Sequence, residues 1–205
     1  MIEELRPGLW RWTARHPDAV DDPVPESPVD WGPDVGCVAC AADGTLVVID
    51  PLVPARGKER FWARMDALVL RHGPRVAVLT TVRWHSRSRA EFVERYGAST
   101  TRAKAALPAG VRTVRVPRAG EVMVWLEEHR ALVPGDRLLG DDAGGLRLCP
   151  PSWMSYLDSD ITQDELRAAL APLRELPIEM VLVTHGTPVL ADGARAVELA
   201  LADRR

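Results

Sequence analysis

Four polar residues in the sequence follow apolar runs that have the character of β-strands. Asp50 ends the run VVID, Thr81 ends VLTT, Asp136 ends LVPGD and His185 lies in LVTHG. In layered α/β proteins, ligands collect where strands give way to loops, so acid–base or binding chemistry would be expected at these positions. Asp and His at strand ends also commonly serve only to hold loops in place, and that structural role stays open for each residue alone.

One alternative set of residues contains the elements of a serine hydrolase. Ser86 or Ser88, together with His185 and Asp136, could supply a nucleophile, a base and a group that orients the base. Serine, histidine and aspartate occur in any chain of this length, however, and the sequence contains no G-x-S-x-G elbow. The sequence therefore does not favour this chemistry.

The periodicity of apolar residues predicts the elements that must position these side chains. An antiparallel β-region comes first, and strands then alternate with amphipathic helices. The predicted strands are 8–14, 35–41, 45–50, 75–81, 110–116, 121–127, 131–136, 146–150 and 178–186. The predicted helices are 57–73, 88–97, 161–176 and 192–205. Strands in two groups, each followed by helices, indicate an α/β (α+β) protein with two packed sheets and helices outside them.

Composition excludes several classes of protein. The 205 residues are 46% hydrophobic and 27% charged, with a net charge of −3 and no apolar run long enough to span a membrane. We therefore expect no membrane or nucleic-acid partner. The start of the chain lacks the features of an export signal, which predicts a cytoplasmic protein. Cys37 and Cys40 lie in a β-type run with no second C-x-x-C, so we expect them to be small core thiols.

The order of these motifs resembles a known family over nearly the whole chain. The succession of IDP, TTVRWHSRS, LVPGD and VTHGTPV is similar to that of the metallo-β-lactamase-fold hydrolase superfamily. The resemblance implies a single domain, 1–205, with a four-layer αββα sandwich and a site at one edge of its two sheets. It also implies hydrolysis by a hydroxide held on one or two zinc or iron ions.

The sequence departs from the family at most of the metal-binding positions. With Thr81 on the threonine of the family's Thr-His-x-His-x-Asp-His loop, residues of other types occupy the four ligand positions. These are Val82, Trp84, Ser86 and Arg87. Moving the alignment by one residue brings His85 to the position of the second histidine. The family has a further histidine in a later loop, and near the corresponding position this sequence has Arg118 and no histidine.

The remaining ligand candidates are few. A zinc hydrolase needs about three protein ligands per ion and one open position. His85, Asp136 and His185 remain, with Asp141 or Asp142 as additional oxygen donors. We therefore expect no dinuclear centre and no tightly bound metal cofactor, with zinc or iron at low occupancy on His85, Asp136 and His185 as the alternative.

A buried Asp136 without an ion needs another positive charge, because an isolated buried carboxylate costs several kcal/mol or becomes protonated. A guanidinium matches a carboxylate in a two-pronged geometry. We therefore predict that Arg87 or Arg118, with His185, takes the electrostatic place of the metal.

Three functions stay open, and the loss of most metal ligands favours the first of them over the alternatives. The first is a small-molecule-binding protein that is non-catalytic or has altered chemistry. The second is a mononuclear metal-dependent hydrolase of a small ester, thioester or lactone, and the third is a structural or regulatory subunit. The predicted pocket residues are Asp50, Trp84, His85, Arg87, Arg118, Asp136, Trp153 and His185. The acidic, proline-rich segment 15–34 is either a lid or a tether.

Overall fold

The computed structural model describes residues 1–101, 107–157 and 160–203. Its strands are β1 (Glu3–Arg6), β2 (Leu9–Arg15), β3 (Asp34–Ala42), β4 (Thr45–Ile49), β5 (Arg75–Leu79), β6 (Ser99–Thr101), β7 (Val111–Val116), β8 (Glu121–Leu126), β9 (Ala131–Val133), β10 (Leu138–Gly140), β11 (Leu146–Leu148) and β12 (Met180–Val181). Its helices are α1 (Lys58–His72), α2 (Arg89–Tyr96), α3 (Gln163–Leu170) and α4 (Gly193–Ala202), with 3₁₀ segments at Arg83–Ser86, Pro151–Tyr156 and Ala171–Glu175.

The first sheet has six strands in the order β1-β2-β3-β4-β5-β6. Its first four strands are antiparallel, and β5 and β6 are added in parallel after the helical connections α1 and α2. The Asp43–Gly44 turn that closes the β3–β4 hairpin has positive φ at both residues, the conformation that favours an Asp-Gly pair in tight hairpin turns. Asp50 and Thr81 consequently follow two adjacent parallel strands at the same edge of the sheet.

The second sheet has four strands in the order β12-β9-β8-β7, and β10 and β11 form a separate hairpin. Strand β12 runs parallel to β9, with Met180 opposite Ala131. The residues that follow β9 and β12 therefore leave the sheet at the same end. Asp136 and His185 lie in these two following loops.

Three apolar clusters divide the described part of the chain into four layers. One cluster lies between the sheets, where Val47 and Ile49 of β4 pack with residues such as Val124 of β8. Alternate residues of β4, Leu46 and Val48, face the opposite way, toward α1 and α2. The third cluster joins the outer face of the second sheet to α3, α4 and the β10–β11 hairpin. The predicted four-layer αββα sandwich is confirmed.

Several boundaries differ from the prediction. Strands β1, β6 and β10 were not predicted; each has three or four residues, too few for a clear periodic pattern. The strand predicted over 178–186 has only two ladder residues, and the helix predicted over 192–205 spans 193–202, with residues 204 and 205 outside the described part. Cys37 and Cys40 are buried free thiols on opposite faces of β3. Among the described residues, no helix has the length and apolar character needed to cross a membrane.

Candidate metal centre

Asp50 lies at the carboxyl end of β4 and is buried. Its backbone N–H donates to the carbonyl oxygen of Leu79 at 3.0 Å, and its φ of 48° turns the chain sharply at this point. The carboxylate accepts a hydrogen bond at Oδ1 from the Thr81 backbone N–H, at 2.8 Å, and one at Oδ2 from the Thr81 hydroxyl. The end of β5 thus fixes the orientation of the Asp50 carboxylate.

His85 lies in the 3₁₀ segment Arg83–Ser86 and is buried between two carboxylates. Its Nδ1 is 2.9 Å from Oδ2 of Asp50, and its Nε2 is 3.1 Å from Oδ1 of Asp136. Burial alone would lower the pKa of His85, but the carboxylates of Asp136 and Asp50 outweigh it and raise this pKa to about 9. In the metal-free protein, His85 is therefore an imidazolium at neutral pH.

The loop that carries Asp136 is held by Glu121, a buried residue of β8. The Glu121 carboxylate accepts the backbone N–H groups of Gly135, Asp136 and Arg137 at 2.9, 2.8 and 2.9 Å. Position 135 requires glycine, because a Cβ there would lie 2.6 Å from Oγ1 of Thr81. The backbone at Asp136 is therefore hydrogen-bonded to the second sheet and lies close to Thr81 at the edge of the first.

The two carboxylate oxygens of Asp136 have different surroundings. Oδ2 accepts a hydrogen bond from the indole N–H of Trp84 at 2.6 Å. Oδ1 is buried 3.1 Å from Nε2 of His85 and 3.4 Å from Nε2 of His185, yet neither contact has hydrogen-bond alignment. Burial would raise the pKa of Asp136, but the positive charge of His85 outweighs burial and holds this pKa well below its usual value.

His185 follows β12 and approaches Asp136 from the second sheet. Its Nδ1 is 2.8 Å from the carbonyl oxygen of Trp31. Because a carbonyl can only accept a hydrogen bond, Nδ1 carries the proton, and the Nε2 of neutral His185 presents its lone pair to the site. Burial lowers the pKa of His185, which favours this neutral form.

The proline-rich segment between β2 and β3 covers this side of the site. Besides the Trp31 carbonyl, three of its other carbonyl groups are bound by side chains of the 3₁₀ segment Pro151–Tyr156. The donors are Ser152 Oγ to Glu26 O at 2.5 Å, Trp153 Nε1 to Ser27 O at 3.2 Å and Tyr156 OH to Pro28 O at 3.2 Å. The segment is thus attached to the body of the protein at several points next to His185.

A cavity of about 820 Å³ opens beside His85, Asp136 and His185. Its wall includes four large aromatic side chains, those of Trp31, Trp84, Trp153 and Tyr156, and three arginines, Arg83, Arg87 and Arg137. The volume is in the range that accommodates a small organic molecule. A larger groove of about 1380 Å³ lies between the β10–β11 hairpin and α4, and the His–Asp–His cluster does not line it.

Comparisons with known proteins show which fold holds this site. No protein-family model and no curated protein match the chain. A metallo-beta-lactamase from Hirschia baltica superposes with a TM-score of 0.62 at 11% identity, covering 100% of this chain and 99% of that one. One from Erythrobacter litoralis gives 0.60 at 15% identity, covering 97% and 91%. The chain has the metallo-β-lactamase fold.

A metallo-beta-lactamase family protein from Thermus thermophilus has the same architecture. Its TM-score is 0.56 at 17% identity, and the match covers 96% of this chain and 79% of that one. The resemblance drawn from the sequence motifs is therefore confirmed at the level of the metallo-β-lactamase fold. At these identities the comparisons carry no information on substrate or reaction, since fold alone does not imply function.

The residues that this fold brings together fit a single metal ion. The ligand atoms of His85, Asp136 and His185 all lie within 4.8 Å of one another. Oδ1 of Asp136 is a buried anionic oxygen without a hydrogen bond. In both histidines, Nδ1 faces an oxygen acceptor and Nε2 faces Asp136, the arrangement in which outer-shell oxygens orient metal-binding imidazoles. Two imidazoles and a carboxylate suit zinc or iron.

The arginine predictions need correction. Arg118 is expected near Asp136, but it pairs with Glu165 at 2.5 Å and donates to the Asp160 carbonyl on the surface. Arg87 lines the cavity, yet its Nη1 donates to the backbone carbonyl of Asp50 at 3.2 Å and not to a carboxylate. His85, not an arginine, is the cation beside Asp136, because a ring placed between two strand ends reaches both carboxylates.

Two other sets of residues were candidates. Asp141 accepts the backbone N–H of Gly145 at 2.6 Å, which makes the segment 141–145 a turn. Ser86 and Ser88 line the same cavity as Asp136 and His185. The hydroxyl of Ser88 accepts the backbone N–H of Val53 at 2.9 Å, and within the described part of the chain neither serine is hydrogen-bonded to His185, as a serine nucleophile would be to its base.

Sequence reasoning missed two residues that shape the site. Trp31 orients His185 through its backbone carbonyl, and a backbone group leaves no signal in the sequence. Glu121 does have a signal, because it is a single acid at the start of the apolar run EVMVWL, between two elements of the predicted second sheet. A lone carboxylate in a buried strand needs several hydrogen-bond donors, and here three successive backbone N–H groups supply them.

Proposed function

We propose that His85, Asp136 and His185 bind one divalent metal ion and that the protein hydrolyses a small ester, thioester or lactone in the adjoining cavity. The observation that carries the proposal is the convergence of two Nε2 atoms on Oδ1 of Asp136, an oxygen without a hydrogen bond. Three ligands within reach of one ion are the number that a catalytic zinc site uses.

A bound ion of this type supplies Lewis-acid activation of a carbonyl group and of water. The chain's own residues prepare the site for it. Asp50 and the Trp31 carbonyl hold the two imidazole rings so that each Nε2 faces Asp136. His85, Asp136 and His185 are themselves buried, and this burial strengthens the electrostatic interactions between them.

The cavity wall favours a substrate with an apolar part and a polar carbonyl group. Trp84 and Tyr156 present rings whose centroids are 6.1 Å apart, and Trp153 packs edge-on against His185 at 5.4 Å. Arg87 lines the same cavity and brings a positive charge near the ligand site. An acyl compound that carries an anionic group would gain from both features.

A second candidate function is the binding of a small molecule without a metal ion. The protonation of His85 favours this function. The His85 imidazolium lies between Asp50 and Asp136, so the charges of the cluster are partly balanced without an ion. In this case the cavity would hold a small anion or apolar molecule beside Arg87, and zinc would not compete with the proton on His85.

Metal titration distinguishes the two candidates. We expect the chelator-treated protein to bind about one equivalent of Zn²⁺ and to hydrolyse 4-nitrophenyl acetate only when it is loaded. His185→Ala should weaken Zn²⁺ binding by more than about 100-fold, since even outer-shell partners are worth about 10–100-fold. Isothermal titration calorimetry and elemental analysis measure the stoichiometry and the affinity.

His72→Ala is the matched control for this titration. His72 lies at the end of α1, packs against Trp10 and is not a member of the cluster, so its replacement should leave zinc affinity unchanged. A wild-type protein that binds no zinc, while it retains or captures a small anion, would contradict the hydrolase and support the binding protein.

A further inference from the structure

Trp84 makes a specific contact with one oxygen of the central carboxylate. Its indole N–H donates to Oδ2 of Asp136 at 2.6 Å, while Oδ1 faces the imidazoles of His85 and His185. An indole nitrogen can only donate, so it cannot itself ligate a cation. The two oxygens of Asp136 are therefore divided between a neutral donor and the candidate ion site.

We propose that Trp84 is a positioning residue that holds Asp136 with only Oδ1 available as a ligand, and that it thereby limits the site to one metal ion. This inference rests on the proposed function. Trp84 and His85 are consecutive residues of one 3₁₀ segment, and they contact Oδ2 and Oδ1 respectively. One turn of backbone thus fixes the rotation of the Asp136 carboxylate.

The surroundings of Oδ2 disfavour a second cation. Asp136 is buried, so an ion bound at Oδ2 would have to displace the indole N–H from a short hydrogen bond. Arg87 lines the same cavity, and the positive charge of its guanidinium adds to the cost of placing another cation there.

The Trp84 ring is held in place by its neighbours on the cavity wall. Tyr156 packs against it with a tilt of 49°. The side chain is nevertheless more than one third exposed, with 36% of its surface accessible, so its replacement leaves the buried core intact. Trp84→Phe therefore removes the hydrogen bond to Asp136 while it keeps an aromatic ring on the wall.

The test is a titration of metal-free wild-type protein and Trp84→Phe with Co²⁺, followed by calorimetry and by the visible absorption of the bound ion. We expect the wild type to bind one equivalent. Trp84→Phe should bind about 10–100-fold more weakly, the range found for outer-shell partners of metal ligands, with a shifted absorption spectrum. Neither readout depends on catalytic activity.

Trp12→Phe is the control, because its indole N–H also makes a buried hydrogen bond, to the Leu52 carbonyl at 2.9 Å, without contact to Asp136. It should change stability but leave Co²⁺ affinity and spectrum unchanged. An unchanged affinity and spectrum in Trp84→Phe would overturn the role of Trp84 while the proposed hydrolase stands. Two equivalents in the wild type would overturn the role of Trp84 and also the single-ion site of the proposed function. A wild type that binds no Co²⁺ or Zn²⁺ would overturn both.

Discussion

Glu121→Ala is expected to lower the free energy of unfolding by about 3–5 kcal/mol, the range for removal of one partner from a buried ion pair. The side chain of Arg137 is fully buried, and its Nε lies 3.8 Å from Oε2 of Glu121. The other contacts of its guanidinium, within the described part of the chain, are to the sulfur atoms of Cys149 and Met154, each at 3.4 Å. Alanine would leave this cation without a carboxylate.

The same substitution removes the acceptor of three successive backbone N–H groups, those of residues 135–137. A buried donor without an acceptor costs about 1–3 kcal/mol, and the loop that carries Asp136 would lose its anchor. We therefore expect weaker Zn²⁺ binding together with the lower stability. Urea unfolding followed by circular dichroism, with a parallel zinc titration, measures both effects.

Two variants separate these contributions of Glu121. Glu121→Gln keeps an acceptor oxygen but removes the charge, and it should cost less than Glu121→Ala. Glu127 follows the last residue of β8, and its exposed carboxylate pairs with Arg112. Glu127→Ala should lower the free energy of unfolding by less than about 1 kcal/mol. If Glu121→Ala destabilised the protein no more than Glu127→Ala, the proposed anchor would be wrong.

The sequence was sufficient to predict the packed sheets and the polar residues at the strand ends, and the family resemblance implied a site at one edge of the sheets. β4 and β5 are short apolar runs that pair in parallel, and Asp50 and Thr81 follow them at the same edge. The bond between their side chains follows from that parallel register. Asp136 and His185 meet for the same reason, since β9 and β12 are parallel neighbours.

Strand lengths at this edge depended on one proline. The sequence predicts strands over 131–136 and 178–186, but β9 ends at Val133 and β12 at Val181. Pro134 has no backbone N–H, so it cannot extend the ladder between the two strands. The chain therefore leaves the sheet early, and this exit gives the Asp136 and His185 loops the freedom to turn toward His85.

The partners of long polar side chains could not be predicted. Arg118 was placed near the site because its position corresponds to a family ligand, but its partner Glu165 lies 47 residues away in the first turn of α3. Nothing local in the sequence distinguishes this pairing from one with Asp136. The partners of His85 could not be predicted either. A single histidine in a loop gives no sign that both of its ring nitrogens face carboxylates.

Proton release on metal binding is the second effect expected to be large. Since the two carboxylates raise the pKa of His85 to about 9, the proton on its Nε2 is present at pH 7.5 and must leave before this nitrogen can act as a ligand. We expect about one proton released per Zn²⁺ bound. The apparent affinity should rise about tenfold per pH unit up to about pH 9, because each unit lowers the competing proton tenfold.

Calorimetric titration at pH 7.5 in two buffers with different ionisation enthalpies measures this proton directly. His129→Gln is a suitable control, because His129 is buried but is not a member of the cluster, and its replacement should leave the released proton unchanged. Zinc binding without proton release, or an affinity independent of pH between 6.5 and 8.5, would show that His85 is neutral before the ion binds.

The folding stability of the metal-free protein should fall as the pH rises, whereas the zinc affinity should increase. The pKa of His85 in the folded protein, about 9, lies above its ordinary value of 6.5, so the charged ring stabilises the fold fully below pH 6.5. This stabilisation is lost as the pH rises from 6.5 through 9, the interval in which zinc binds more tightly. Unfolding midpoints measured with and without zinc should therefore diverge with rising pH, since the proton and the ion compete for the same nitrogen of His85.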